Sequence, residues 1–275
     1  MSASVVLTGA TGGIGRAIAR ALVARGDRVV LVARSAPEVA RLAGELSRGS
    51  RTGTVEALAV DVTRPEGRAA IVRCAAARGC DVLVNNAAIP SFGPLEALDD
   101  AHVEAVMATD LVAPILLTRA LLPVLRQRSR ATVLNVGSAA GRIGLPGFSV
   151  YGGAKAGLRG FSEALRRELA DGPVRVVHLA PRATRTAFND ARVDAYNAAT
   201  GTRLDPPERV AAAALAMIDG TARDRVLGFP EAIAARLNAL VPTWLDGAFA
   251  PHRRALRAPE RSAPGVSPTP MESSE

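Results

Sequence analysis

The chain's single lysine, Lys155, stands four residues after Tyr151, one of only two tyrosines. In a helix, residues i and i+4 share one face, so a phenol and an ammonium at this spacing can meet one bound molecule together. A hydroxyl, Ser138, closes an apolar run shortly before them. Near the N-terminus, Thr8-Gly9-Ala10-Thr11-Gly12-Gly13-Ile14-Gly15 joins an apolar run to a helical one. Glycines in such a turn let the backbone approach a pyrophosphate, which then rests on the positive end of the helix.

The glycine spacing Gly-x-x-x-Gly-x-Gly on Gly9, Gly13 and Gly15, with Ser138, Tyr151 and Lys155, resembles the short-chain dehydrogenase/reductase family from about Ser4 to Phe229. The resemblance implies that Thr11 and Ile14 belong to the cofactor turn. It also implies that Asn85-Asn86-Ala87-Ala88 shapes the adenosine side, with Asn86, Ala87 and Ala88 at the cofactor. Asp61 and Val62 are expected at the adenine, and Pro181, Thr184 and Thr186 near the nicotinamide. The second strand ends Ala33-Arg34-Ser35. An acid there would accept a ribose 2′-hydroxyl, whereas a guanidinium and a hydroxyl suit a 2′-phosphate, so NADP is expected over NAD.

Three positions depart from the family pattern. Asp110 stands where the family has an asparagine that connects the lysine to solvent through a water. Arg182 replaces the glycine of Pro-Gly, and no basic residue lies between Gly9 and Gly13. The implied reaction is hydride transfer between NADP(H) and a ketone or secondary alcohol, the substrate being a hydrophobic ketone or a 3-oxoacyl thioester. Tyr151 would donate the proton, Ser138 bond the substrate oxygen, and Lys155 bind the ribose and lower the tyrosine pKa, with Asp110 in the catalytic set. The competing class is a non-catalytic NADP-binding regulatory protein.

To position these residues, apolar strands must alternate with helices. Strands are expected at Ser4 to Thr8, Arg28 to Ala33, Thr54 to Val60, Asp81 to Val84, Ala131 to Gly137, Val174 to Leu179 and Arg225 to Gly228, all nearly continuous in apolar character. Helices are expected at Ile14 to Ala24, Glu38 to Leu46, Pro65 to Ala77, Asp99 to Leu125, Ser149 to Ala170 and Pro207 to Ile218, with Asp99 and Asp205 near N-caps. This alternation predicts an α/β, Rossmann-type, doubly wound parallel sheet of seven strands in the order 3-2-1-4-5-6-7. One domain is expected over 1–257, with a substrate loop at about 182–205 and a helical extension at about 230–257. In that extension Ile233, Leu237, Leu240 and Val241 share a face, which would close the pocket, pack in an oligomer or touch a membrane surface. Residues 258–275, rich in Pro and Ser, are expected to be a disordered tail.

Composition narrows the partners. The net charge is +8, yet only 3% of the residues are aromatic, and the arginines are scattered, so base stacking has little to work with and no nucleic acid is expected. His102, His178, His252, Cys74 and Cys80 have no metal-ligand spacing, and no metal is expected. Leu111 to Leu125 is interrupted by Thr118 and Arg119, so no membrane span is expected, and the N-terminus carries no export signal. A cytoplasmic homodimer or homotetramer is the expectation.

Overall fold

The computed structural model describes residues 2–49 and 54–257. Seven short strands pair in parallel: β1 (Ser4–Thr8), β2 (Arg28–Ala33), β3 (Val55–Ala59), β4 (Val82–Asn85), β5 (Ala131–Val136), β6 (Val174–Ala180) and β7 (Asp224–Val226). Their order is β3-β2-β1-β4-β5-β6-β7, as the sequence predicts. The reversal of strand order beside β1 opens a crevice at the carboxyl ends of β1 and β4, where ligands bind in such sheets.

Helices cover both faces of the sheet. One layer holds α1 (Gly13–Ala24), α2 (Ala36–Gly49) and α8 (Pro207–Asp219), packed on Val5, Leu7, Leu31 and Leu179. The other holds α3 (Pro65–Arg78), α5 (Ala113–Leu125) and α6 (Ser149–Glu168), packed on Val6, Leu83, Val133 and Val176. Alternate residues of each strand serve opposite layers, which explains the apolar runs in the central strands. The edge strands depart from that expectation. Residues of β3 are half-buried or exposed, and β7 is mostly exposed and ends before Gly228, whose φ of +94° starts a turn into α9 (Phe229–Leu240).

The expected helix from Asp99 to Leu125 is three pieces: α4 (Asp100–Met107), a π turn (Ala108–Val112) and α5. Pro114 lacks the N–H that would bond the Asp110 carbonyl, and the turn widens so that the Ala113 N–H reaches Ala108. The stretch Asp100–Leu125 is long and apolar enough to cross a membrane, but Leu117, Leu121 and Leu125 are fully buried in the core. Asp99 caps α4, accepting from the His102 N–H at 2.7 Å. Asp205 does not cap α8: Pro206 takes that position, and the Asp205 carboxylate turns to Arg182 and Arg209.

The expected loop of 182–205 contains a helix, α7 (Ala191–Ala199), whose start is capped by Asp190. After α9 the chain continues as a 3₁₀ stretch (Pro242–Phe249) and α10 (Ala250–Arg257). The expected tail at 258–275 lies outside the described residues.

Candidate active site

The glycine turn is built by close approach. Gly9 has φ +64°, and a Cβ there would lie 2.7 Å from the Ala87 Cα. A Cβ on Gly15 would overlap the Gly9 carbonyl, and one on Gly13 would overlap the Thr186 side chain. Asn86 fastens the turn from the next strand, its Nδ2 donating to the carbonyls of Thr8 and Gly9 at 3.0 and 3.1 Å. The Thr8 hydroxyl in turn accepts from the N–H groups of Asn86 and Ala87. Asn86 therefore shapes the glycine turn by bracing backbone.

A cleft of about 260 Å³ runs along this turn. Its floor is Gly9, Thr11, Gly13, Ile14 and Gly15, and its far wall is Arg34, Asp61, Val62, Ala87 and Ala88, with Asn86 and Thr186 also on the lining. Ser35 stands beside it, its hydroxyl accepting from the Glu38 N–H at the start of α2. Asp61 accepts from the N–H and hydroxyl of Thr63. Burial works to raise its pKa, but those bonds and the Arg34 and Arg64 charges hold it below the usual range. Although no base lies between Gly9 and Gly13, Arg16 reaches back from α1 to donate to the Thr11 carbonyl at 2.7 Å.

A larger cavity of about 490 Å³ adjoins the cleft, with Phe188 and Thr186 lining both. Ser138 and Tyr151 open into it. Ser138 follows β5 in extended conformation and accepts from the Ala140 N–H, starting a 3₁₀ turn (Ala139–Gly141). That turn lies against α6, where a Cβ on Gly141 would come within 2.6 Å of the Lys155 backbone. The glycine thus lets the serine strand and the tyrosine helix meet.

Behind Tyr151 lies an ion pair. Lys155 Nζ is 3.1 Å from Asp110 Oδ2, and both side chains are buried. The other Asp110 oxygen accepts from the Ile89 N–H at 2.9 Å, and Lys155 Nζ lies 3.4 Å from the Val136 carbonyl and 5.6 Å from the Tyr151 ring centre. Asp110 is the buried residue of the π turn. Burial pulls the Lys155 pKa down, but Asp110 and Tyr151 more than offset it and hold it above the usual lysine value. Burial raises Tyr151; Lys155 and the nearby Ser138 hydroxyl oppose that, and the Asp110 charge adds to it.

The remaining predicted residues fall around the cavity. Thr184 and Arg182 line it, whereas Pro181 supports the site through its carbonyl, which accepts from the Ala139 N–H. Arg182 points inward but is neutralised, at 2.6 Å from Asp205 and 3.4 Å from Glu231. Arg142 turns away to pair with Asp224. Sequence reading misses the aromatic wall, in which the Phe92, Phe148, Tyr151, Phe188 and Tyr196 rings lie within 6.4 Å of their neighbours. The signal was concentration: six of the chain's nine aromatic residues lie between 92 and 196, and all but Phe161 join this wall.

Comparison with known proteins agrees with this geometry. The short chain dehydrogenase family model matches residues 3–197. The 3-oxoacyl-[acyl-carrier-protein] reductase FabG of Vibrio cholerae is 32% identical over 218 residues, 76% of this chain and 86% of the relative. A short-chain dehydrogenase structure from Streptomyces avermitilis superposes with a TM-score of 0.76 at 29% identity, covering 89% of this chain and 96% of that one. A metagenomic short-chain oxidoreductase in complex with NADP gives 0.69 at 31% identity, over 82% and 97% of the two chains. A 3-ketoacyl-(acyl-carrier-protein) reductase from Brucella melitensis complexed with NADH gives 0.72 at 28%, over 82% and 97%. The family match runs through the glycine turn and through Ser138, Tyr151 and Lys155 alike, and the chain belongs to the short-chain dehydrogenase family, oxidoreductases acting on alcohol and carbonyl groups.

Proposed function

We propose that the protein interconverts a hydrophobic ketone and its secondary alcohol with NADP(H), Tyr151 being the proton donor and acceptor. The observation that carries this reading is the placement of Ser138 and Tyr151 in the wall of an apolar cavity that adjoins the glycine-lined cleft. Ala139, Ile143, Leu145, Phe148 and Val193 give that cavity its character; of the two arginines on its lining, Arg182 is paired with Asp205 and Glu231, and Arg203 is exposed to solvent. An uncharged, bulky substrate suits such walls. The relation to FabG supports a 3-oxoacyl thioester as a member of the class.

The cleft fits a dinucleotide. The start of α1 has no side-chain cap and no acid in its first turn, leaving backbone donors for a pyrophosphate. Arg34 is exposed on the cleft wall at the end of β2, where its fork and charge suit a 2′-phosphate. The cofactor, when bound, supplies or accepts the hydride. The chain's own part is to manage the proton. Tyr151 gives its hydroxyl proton to the substrate oxygen in reduction and recovers it in oxidation, while Ser138 holds that oxygen by a hydrogen bond. Lys155 favours the tyrosinate electrostatically, and Asp110 fixes the position of Lys155.

Residues 1–257 serve as one catalytic domain in this reading. Both cysteines are free, which fits a reducing, cytoplasmic compartment. The exposed Val112 side of the α4–α5 rod offers a face for a homodimer or homotetramer. The test is NADPH oxidation against a panel of ketones. Turnover is expected with apolar ketones, and Tyr151→Phe should lower kcat by about 10² to 10⁴ while leaving NADPH binding intact. Full activity in that variant would remove Tyr151 from its role.

A further inference from the structure

The face that α9 turns outward is apolar. Phe229, Ile233, Leu237 and Leu240 follow one another at three- or four-residue spacing and are exposed, and Trp244 in the following 3₁₀ stretch continues them; Leu240 and Trp244 are 79% and 81% exposed. Among the described residues no element covers these side chains. The same C-terminal stretch reaches the substrate cavity, which Pro230, Glu231 and His252 help to line. Its charges are unbalanced. Arg236, Arg253, Arg254 and Arg257 are exposed, whereas of the two acids in 229–257, Glu231 is taken up by Arg182 and only Asp246 is exposed.

The geometry points to an anionic lipid surface as the occupant of this face, with the C-terminal segment lying in the headgroup layer beside the cavity mouth. An apolar stripe with a tryptophan at its end and arginines on the adjoining turns has the amphipathic make-up of an interfacial segment. A second copy of the chain fits less well, because a two-fold contact through this face would bring two arginine clusters of like charge into one interface. Residues 258–275 fit less well too, since Val266 and Met271 are their only large apolar side chains. A substrate dissolved in the lipid would then have a short path to Tyr151.

Trp244 is the only tryptophan, so its fluorescence reports on this face directly. The experiment adds phosphatidylglycerol/phosphatidylcholine vesicles, or phosphatidylcholine vesicles alone, to the full chain and follows emission and co-sedimentation. The expected result is a blue shift and sedimentation with the anionic vesicles only, reversed by high salt. Arg253→Ser and Arg254→Ser should each weaken binding roughly fivefold, the equivalent of about 1 kcal/mol per cation near an anionic surface. Leu240→Ser should abolish binding while NADPH binding and ketone turnover in detergent-free buffer persist. Three results would overturn the proposal: no shift with either vesicle, equal and salt-insensitive binding to both, or an emission already blue-shifted without lipid that moves red on dilution. The last would assign the face to a second copy.

Discussion

Asp110 is the residue whose chemistry differs most from what its surroundings call for. It places a carboxylate 3.1 Å from the lysine that is meant to stabilise a tyrosinate, and so spends part of that positive charge locally. The position was readable as a departure from the family pattern, and the resemblance placed it near Lys155, but the π turn that carries it there was not readable, because the apolar pattern predicts a single helix from Asp99 to Leu125. Asp110→Asn removes a charge that raises the Tyr151 pKa, and the Lys155 pKa should fall with it. Alcohol oxidation needs the tyrosinate, so its rate should begin to rise at lower pH in the variant. A pH profile of kcat/KM checks this, and an unmoved profile would assign Asp110 to holding the Ile89 N–H alone. The proposed preference for NADP rests on Arg34 at the same scale. Arg34→Asp should invert the ratio of kcat/KM for NADP and NAD, since an acid accepts a ribose hydroxyl and repels a phosphate. Equal efficiency with both cofactors in the wild type would deny Arg34 that role.

At the scale of elements, the central strands were legible because burial on both faces leaves a plain apolar run, while the edges were not, because β7 has only three residues and mostly faces solvent. Equally hidden was a polar chain through the core. Asn85 on β4 donates to Thr118 of α5 and to Asn135 of β5, and Asn135 donates to Ser162 of α6 at 2.8 Å. All four side chains are buried. No spacing rule joins residues so far apart, and the chain sets how β4, β5 and α6, which carry the site, sit against one another. Asn135→Ala leaves the Asn85 amide and the Ser162 hydroxyl short of partners, each at a cost of about 1–3 kcal/mol. Urea unfolding should show a loss of roughly 3 kcal/mol or more, with little change in slope. A loss under about 1 kcal/mol would mean that neighbouring groups re-pair.

For the whole molecule, the attachment of the C-terminal segment from β7 onward depends on the edge of the sheet. Strand β7 leads straight into α9 and so to the wall of the substrate cavity, and His178 of β6 holds it by a 3.1 Å contact with Asp224, which also pairs with Arg142. Burial keeps His178 below the usual histidine pKa, against the opposing pull of Asp224; Arg142 and Arg159 add to the depression. Burial works against Asp224, yet His178 and Arg142 hold its pKa down to about 2. The signs of the two groups agree. Below about pH 6.5 an unfolded chain takes up a proton on this histidine that the folded chain refuses, so stability falls as pH drops toward the folded value. Asp224 contributes stability above its unfolded value of 3.8, and this is lost as pH falls toward 2. Two successive declines in melting temperature are therefore expected, one starting just below pH 6.5 and one below about pH 4. His178→Asn keeps a hydrogen-bonding side chain without the titration, and should flatten the first decline while leaving most of the second. If the variant melts with the same pH dependence as the wild type between pH 4 and 6.5, the acid sensitivity lies elsewhere and the β6–β7 contact does not govern it.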